Sequence, residues 1–357
     1  MTSLTDARSS PPEGSPPAAP RRRGFRRYAA RRLLLMAPTF IGITLVTFVL
    51  CQCVPGGPID QLRLELASGE GGGRLELRIT DEQIQALKAY YGFDKPILAR
   101  YADYLWKVLR LDLGDSFRYT MPVIDLIAAR LPISIFYGLA TAVLAYGVCI
   151  PLGILKAIRH RTLLDGATSA LIFLGYAIPG FALGGVLIAV CAVEHDWLPI
   201  GGFVSEGFGA LSFSGKIADV ARHAILPLTC YAVGLFAVLT MLVKNGLLEQ
   251  MGADYVRTAL AKGLTWRRAV FVHALRNALI PLATSAGSVL LIFLTGSMLI
   301  ERVFNIPGIG LLSYEAVTQR DYPVVMGLVV ISSALMLLGR LLSDLCVAAV
   351  DPRVRFG

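Results

Sequence analysis

Histidines and cysteines are the residues of this 357-residue sequence best able to hold a metal or act as nucleophiles. Their spacing argues against both roles. His160 and His273 lie in basic segments and His195 and His223 at the edges of apolar runs, and no His-x-x-x-His or Glu-x-x-His pattern joins any of them. Cys51, Cys53, Cys149, Cys191, Cys230 and Cys346 fall in or beside apolar stretches, where a thiol behaves as a small hydrophobe. The Cys51-Gln-Cys53 pair lacks a second ligand pair at metal spacing, so no metal site is expected. A Gly-x-x-x-x-Gly-Lys-Ser/Thr phosphate loop is missing, so the chain should hydrolyse no nucleotide itself. The paired catalytic groups that a membrane-embedded hydrolase needs are not visible either, and no catalytic residue is assigned.

What the polar residues can do is dock. Lys244 to Pro281 is the one long polar segment between two strongly apolar runs, and it reads as two short helices with a break. Asp254 is expected to cap the first, with Val256, Ala259 and Leu260 on one stripe, Arg257 and Lys262 on its flanks, and Gly263 as its stop. Thr265 is expected to cap the second, which would carry Trp266, Val270 and His273 on one side. A basic loop of this kind can also be an ordinary solvated face.

These residues are positioned by apolar helices. With 55% hydrophobic and 17% charged residues and a mean hydropathy of +0.62, the chain has several stretches of about 20 residues able to cross a bilayer. The reading is an all-α membrane protein with six transmembrane helices: about 33 to 53, 132 to 155, 166 to 193, 223 to 243, 280 to 300 and 323 to 349. Assigning the N-terminus, 156 to 165, 244 to 279 and the C-terminus to the cytoplasm collects about 20 of the 34 basic residues against about 7 of the 25 acidic ones, which gives an N-in, C-in topology. The net charge of +9 is thus a topology signal, and no nucleic-acid partner is implied. None of the first five spans holds Asp, Glu, Lys or Arg near its middle, so an ion-coupled secondary transporter would lack its relay groups. Arg340 and Asp344 in the last span are four apart, as in a locally neutralised or snorkelling pair.

Outside the spans, residues 1 to 27 read as a disordered basic tail, Pro, Ser and Ala rich to residue 20 and then arginine rich. The apolar run after them is too long for a signal peptide and has no small-residue cleavage site, so the first helix is expected to stay uncleaved. Residues 54 to 131 form a helical extracytoplasmic insertion. It holds a Gly-rich excursion at Ser68 to Arg74, a capping box at Thr80 to Gln83 with a helix ending at Gly92, and a helix opened by Lys95-Pro96. A third helix runs from Pro122 to Leu131. Asp112, Asp115, Phe117 and Tyr119 are its exposed candidates for touching a delivery protein. Gly175 to Phe181, with Pro179 at its centre, breaks the third span. Thr284, Ser285, Ser288, Thr295 and Ser297 with Gly287 and Gly296 make a small polar stripe that either permits close packing or lines a pore. The segment Glu301-Arg-Val-Phe304-Asn-Ile-Pro307-Gly308-Ile-Gly310 reads as a rigid, non-helical turn at the outer mouth.

Ala259, Gly263 and the His273-Ala-Leu-Arg-Asn-Ala-Leu-Ile-Pro281 run resemble the EAA loop of binding-protein-dependent ABC importer permeases. Arg257-Thr258 stands where many members have Glu-Ala, and Leu275-Arg276 where many have Leu-Pro, as in the peptide-type branch. Matches recur in order at Pro55 to Pro58, Tyr91 to Pro96, Asp112 to Ser116, Gly175 to Pro179, Thr240 to Asn245, Glu301 to Gly310 and Asp351 to Arg353. The likeness covers residues 28 to 357, the permease transmembrane domain, and is closest to the Yej-type permeases of peptide and microcin C importers. It implies a type I importer (MetI-like) fold in a bacterial inner membrane, paired with a second permease subunit. The partners it implies are two ABC ATPase domains, which hold the ATP and Mg, and a periplasmic substrate-binding protein. By this resemblance the 244 to 279 loop is the coupling loop, with Asp254, Tyr255, Arg257, Thr258, Ala259, Lys262, Gly263, Leu264, Trp266, Arg268 and His273 toward the ATPase. Pro179, Phe181, Thr284, Ser288, Thr295, Glu301, Phe304, Pro307, Gly308 and Gly310 would lie along the translocation pathway or its outer mouth. Nickel chelates or oligosaccharides are the alternative cargo within the family.

Overall fold

The computed structural model describes residues 21–53, 96–282 and 297–350. Its long helices are α1 (Arg21–Cys53), α3 (Val123–Ile158), α4 (Leu163–Ala177), α6 (Phe213–Met251) and α12 (Tyr322–Val350). Between them lie α2 (Ile97–Leu109), α5 (Gly180–Leu187) with a π-helical continuation (Ile188–Glu194), and α7 (Asp254–Ala261). The remainder are α8 (Trp266–Arg268), a π-helical turn (Ala269–Ala274), α9 (Leu275–Ala278), α10 (Met298–Val303) and α11 (Ile309–Thr318). No strand occurs among the described residues.

Among the described residues, four helices are long and apolar enough to cross a membrane: Arg31–Cys51 of α1, α3, α6 and Tyr322–Leu341 of α12. α4 and Gly180–Glu194, joined across a 93° bend, pass the same test of length and composition when taken together. The bend has a local cause. Ile178 is held extended ahead of Pro179, which has no N–H to continue the ladder. The expected span over 280 to 300, with Thr284, Ser288 and Thr295, lies mostly outside the described residues, as do the capping box, the Gly-rich excursion and the Asp344 side chain.

Two boundaries differ from the sequence expectation. The helix expected to end at Leu131 runs on without interruption as α3, with Pro132 inside it. Burial of Val123, Leu126 and Ile127 against α11 and α12 outweighs the hydrogen bond that Pro132 removes. At the other end, α1 begins at Arg21, inside the stretch expected as a tail, because arginine and alanine propagate a helix readily from the apolar span.

Small residues set the helix register. α3 and α6 run side by side in the same direction: the Tyr137 and Tyr231 rings stack at 6.0 Å near one end, and near the other a Cβ on Gly153 would lie 2.7 Å from Val243 Cβ. α4 lies antiparallel along α6. Asp165 meets Lys244, a Cβ on Gly175 would lie 2.8 Å from Val233, and one on Gly180 would lie 2.8 Å from the Cys230 carbonyl. The gaps that glycine leaves on α3 and α4 are therefore filled by α6.

At the end away from α7, α2 packs on α1 through Tyr101 and Tyr104, 5.5 and 5.9 Å from the Phe48 ring. The Tyr101 hydroxyl donates to the Ile41 carbonyl at 2.9 Å. An apolar cluster of Val108, Leu113, Val123, Ile309, Leu312 and Val324 then joins α2, α3, α11 and α12.

Candidate functional site

The polar segment between α6 and residue 282 folds as a compact unit on the helix ends. Val256, Val270, Ala274 and Ala278 are buried with Ala157 of α3 and Leu247 of α6. Asn277 Nδ2 donates to the Tyr255 hydroxyl at 3.1 Å, and that hydroxyl bonds Gln250 Oε1 at 2.8 Å, tying α9, α7 and the end of α6 together. Helix α7 ends in a Schellman arrangement, with Gly263 N donating to the Leu260 carbonyl at 2.9 Å and Leu264 N to the Ala259 carbonyl at 3.2 Å. Gly263 sits at φ +90°, a conformation glycine adopts without strain.

Most of the expected coupling residues face outward. Asp254, Tyr255, Arg257, Thr258, Lys262, Gly263, Trp266, Arg268 and His273 are exposed, while Ala259 and Leu264 are half-buried. The outward face therefore carries both cations and apolar groups, Trp266 being 44% and Leu260 37% exposed.

Two local expectations need correction. Ala253, not Asp254, occupies the N-cap position; Asp254 is the first helical residue and pairs with Arg257 at 3.7 Å. Val270 does not share a face with Trp266 and His273, but is buried while both of those point out. The π-helical turn over Ala269–Ala274 separates Val270 from His273, because the three steps between them advance by less than in an α-helix, and Val270 is taken into the apolar cluster with Ala157 and Leu247.

Just inside this unit lies a charge cluster that the sequence reading passed over. Lys156 of α3, Asp165 in the first turn of α4 and Lys244 of α6 are all buried. Lys244 Nζ donates to both Asp165 carboxylate oxygens, at 2.7 and 2.8 Å. Lys156 Nζ lies 3.0 Å from Asp165 Oδ1 and donates at 2.8 Å to the Asp165 carbonyl, Thr168 Oγ1 and Ser169 Oγ. Arg161 N donates to the same carboxylate at 3.1 Å, and His160 Nδ1 lies 3.4 Å from it. A signal was present in the sequence. Lys156 and Lys244 each interrupt an apolar helical run, and a buried ammonium requires an anion.

At the opposite end, Glu301 to Gly310 is a helix-turn-helix knot and not the non-helical turn expected. Glu301 belongs to α10, is 1% exposed, and its Oε2 accepts from Leu311 N at 2.7 Å at the start of α11. Its Oε1 receives the Tyr231 hydroxyl at 3.4 Å, and its carbonyl receives Ile306 N at 2.8 Å. A carboxylate at a helix N-terminus satisfies amides that have no partner within the helix. Gly308 and Gly310 make room for it: a Cβ on Gly308 would lie 2.5 Å from Glu301 Oε2, and one on Gly310 would lie 2.8 Å from Met298 N. Phe304 is buried beneath Gly184, and its carbonyl accepts from Gly202 N at 2.8 Å. Pro307 is half-buried. Pro179 and Phe181 stay exposed at the bend, whose Gly180 lies against Ile300.

A second link joins two segments that the sequence reading kept apart. Asp321, buried between α11 and α12, accepts from Ser116 Oγ at 2.5 Å, Phe117 N at 3.2 Å and Arg118 N at 3.3 Å. The Tyr119 hydroxyl donates to Glu315 Oε2 at 2.8 Å. Burial, and then the Glu315 carboxylate, push the Tyr119 phenol up, so it stays a donor. Phe117 and Tyr119 are thus half-buried and committed to this link, leaving Asp112 and Asp115 as the exposed members of the expected delivery surface.

Residues 149–356 match the family described as binding-protein-dependent transport system inner membrane component. The chain belongs to this family. Among relatives, the peptidoglycan transport system permease protein YejB of Agrobacterium fabrum is 39% identical, with 92% of this chain and 98% of the relative covered. The inner membrane ABC transporter permease protein YejB of Escherichia coli O157:H7 is also 39% identical over the same shares. The dipeptide transport system permease protein DppB of Escherichia coli K12 is 35% identical, again over 92% and 98%. A solved methionine ABC transporter in inward facing conformations aligns with a TM-score of 0.48 at 18% identity, covering 64% of this chain and 97% of that one. As a family member this permease is an inner membrane transport component, consistent with its long apolar helices.

Proposed function

We propose that this permease is one half of the membrane channel of an ATP-driven importer that takes up peptides or peptide-like compounds. Its six spans would run N-in, C-in in a type I arrangement. The observation that carries the reading is the α7 to α9 unit: a surface of exposed Tyr255, Leu260 and Trp266 among Arg257, Lys262 and Arg268, mounted on a buried apolar cluster shared with α3 and α6. A rigid apolar patch with a basic rim is suited to insertion into a groove of another protein. The match to a binding-protein-dependent transport component supports a cytoplasmic ATPase as the occupant of that patch, with a second permease chain completing the pathway. The name of DppB, a dipeptide transport system permease, supports peptide cargo, and that of the Agrobacterium fabrum YejB, a peptidoglycan transport system permease, supports a peptide-like compound.

The test is to tag the chain, extract it in mild detergent and identify what copurifies. A second permease and an ATPase, with the ATPase lost when residues 250 to 275 are scrambled, is the expected result. A correctly inserted chain that purifies alone overturns the docking assignment. Peptide cargo is tested separately, by uptake of labelled di- to hexapeptides in cells lacking this chain, against nickel chelates and oligosaccharides.

A further inference from the structure

The docking unit touches α3 and α6, yet the apolar pair broken by a 93° bend is α4–α5. An input at α7 must reach that pair through some contact. From the geometry of the buried charge cluster we infer that Asp165 is the joint that carries movement of the docking unit to the broken pair. This inference rests on the docking reading above.

Three observations converge on Asp165. First, it sits in the opening turn of α4, and the two ammonium groups that hold it belong to the two helices on which the docking unit rests. Second, the lysines are close to that footing. Lys156 precedes Ala157, and Lys244 stands one turn before Leu247, and both Ala157 and Leu247 lie in the docking unit's apolar cluster. A tilt of the unit that shifts the ends of α3 and α6 therefore shifts both ammonium groups together. Third, α4 and the start of α5 are seated on α6 by close glycine contacts on either side of the 93° bend, Gly175 on Val233 and Gly180 on the Cys230 carbonyl. Contacts of that kind resist compression but not sliding, whereas a carboxylate chelated by one lysine and bridged to another resists displacement in several directions. Force entering at the lysines would pull the start of α4 and change the angle at Pro179.

The arrangement is also more than a neutralised pair. Two buried cations share one carboxylate, and Lys156 completes its shell with the Asp165 carbonyl, Thr168 Oγ1 and Ser169 Oγ, all within the first two turns of α4. Removing the carboxylate would leave Lys156 on α4 through its hydroxyl and carbonyl acceptors but would release Lys244 of α6, which bonds α4 through the Asp165 side chain.

Asp165 is a positioning residue, and its test is the ratio of transport to hydrolysis. The full complex, with permease pair, ATPases and binding protein, is reconstituted in proteoliposomes, and peptide uptake and ATP hydrolysis are measured together. For Asp165→Asn the ATPase is expected to stay bound and to hydrolyse ATP within about twofold of the unmodified rate, while peptide delivered per ATP falls about tenfold, within the usual range of inter-site coupling. Asp165→Glu, which keeps the charge, should recover part of the ratio. An unchanged ratio in Asp165→Asn overturns the inference. So does a parallel fall of uptake and hydrolysis, which marks a purely structural role. If Asp165→Asn fails to assemble, Lys244→Gln is read by the same ratio, because Asp165 then keeps Lys156. Absence of the ATPase from the unmodified complex instead sinks the docking reading, and this inference with it.

Discussion

Replacing Gly263 with valine isolates the geometry of the docking surface from the stability of the membrane core. Gly263 has φ +90°, and a Cβ built there meets nothing within 4 Å, so the cost of a side chain is set by the backbone alone. For an L-residue forced into left-handed space that cost is roughly 1–2 kcal/mol, and it is higher for a β-branched one. The Schellman bonds from Gly263 N and Leu264 N fix how α7 turns into α8, so the strain is relieved by letting that corner open. An energy of about 1–2 kcal/mol lowers the population of the closed corner by a factor of about 5 to 30. The core helices are untouched, so membrane insertion and yield should be those of the unmodified chain. The assay is peptide uptake and peptide-stimulated ATP hydrolysis in proteoliposomes, with asparagine, which tolerates this region, as the intermediate case. Activity should fall in the order glycine, asparagine, alanine, valine. Normal uptake by Gly263→Val would refute the reasoning.

Further outcomes follow from other sites. Trp266→Ala should weaken copurification of the ATPase by an order of magnitude or more, as for an aromatic anchor, while the thermal midpoint of the permease stays put, because Trp266 is outside the buried cluster. Glu301→Ala should destabilise the permease by roughly 1–3 kcal/mol, since it strands the Leu311 amide in a buried site, and thermal unfolding in detergent would show it. Gly310→Ala should produce a similar loss through the clash with Met298 N, with no change in charge, in the same measurement. Asp321→Ala should leave Ser116, Phe117 N and Arg118 N without their acceptor, and hydrogen exchange over residues 112 to 121 should rise above that of the neighbouring α2.

Local patterns in the sequence determined the helical class, the apolar runs among the described residues, the break at Pro179, and Gly263 as the end of a short helix. Each depends on a few neighbouring residues: a run of side chains of one polarity, a missing amide hydrogen, or a backbone angle that only glycine adopts cheaply. Face and partner were another matter. Glu301 stands in a motif rich in turn formers, but it belongs to α10, and the phase of α10 against α11 points it inward onto the Leu311 amide. Val270 and His273 left a common face because a π-helical turn changed the angular step between them, which composition does not encode. The most consequential links join groups far apart in the chain. Asp165 to Lys244 and Ser116 to Asp321 exist only once α4 lies antiparallel along α6 and the 112–121 loop meets the turn before α12. Charges at those positions were legible one by one, but which of them would share a buried site was decided by helix register, fixed by close contacts such as Gly153 with Val243 and Gly175 with Val233.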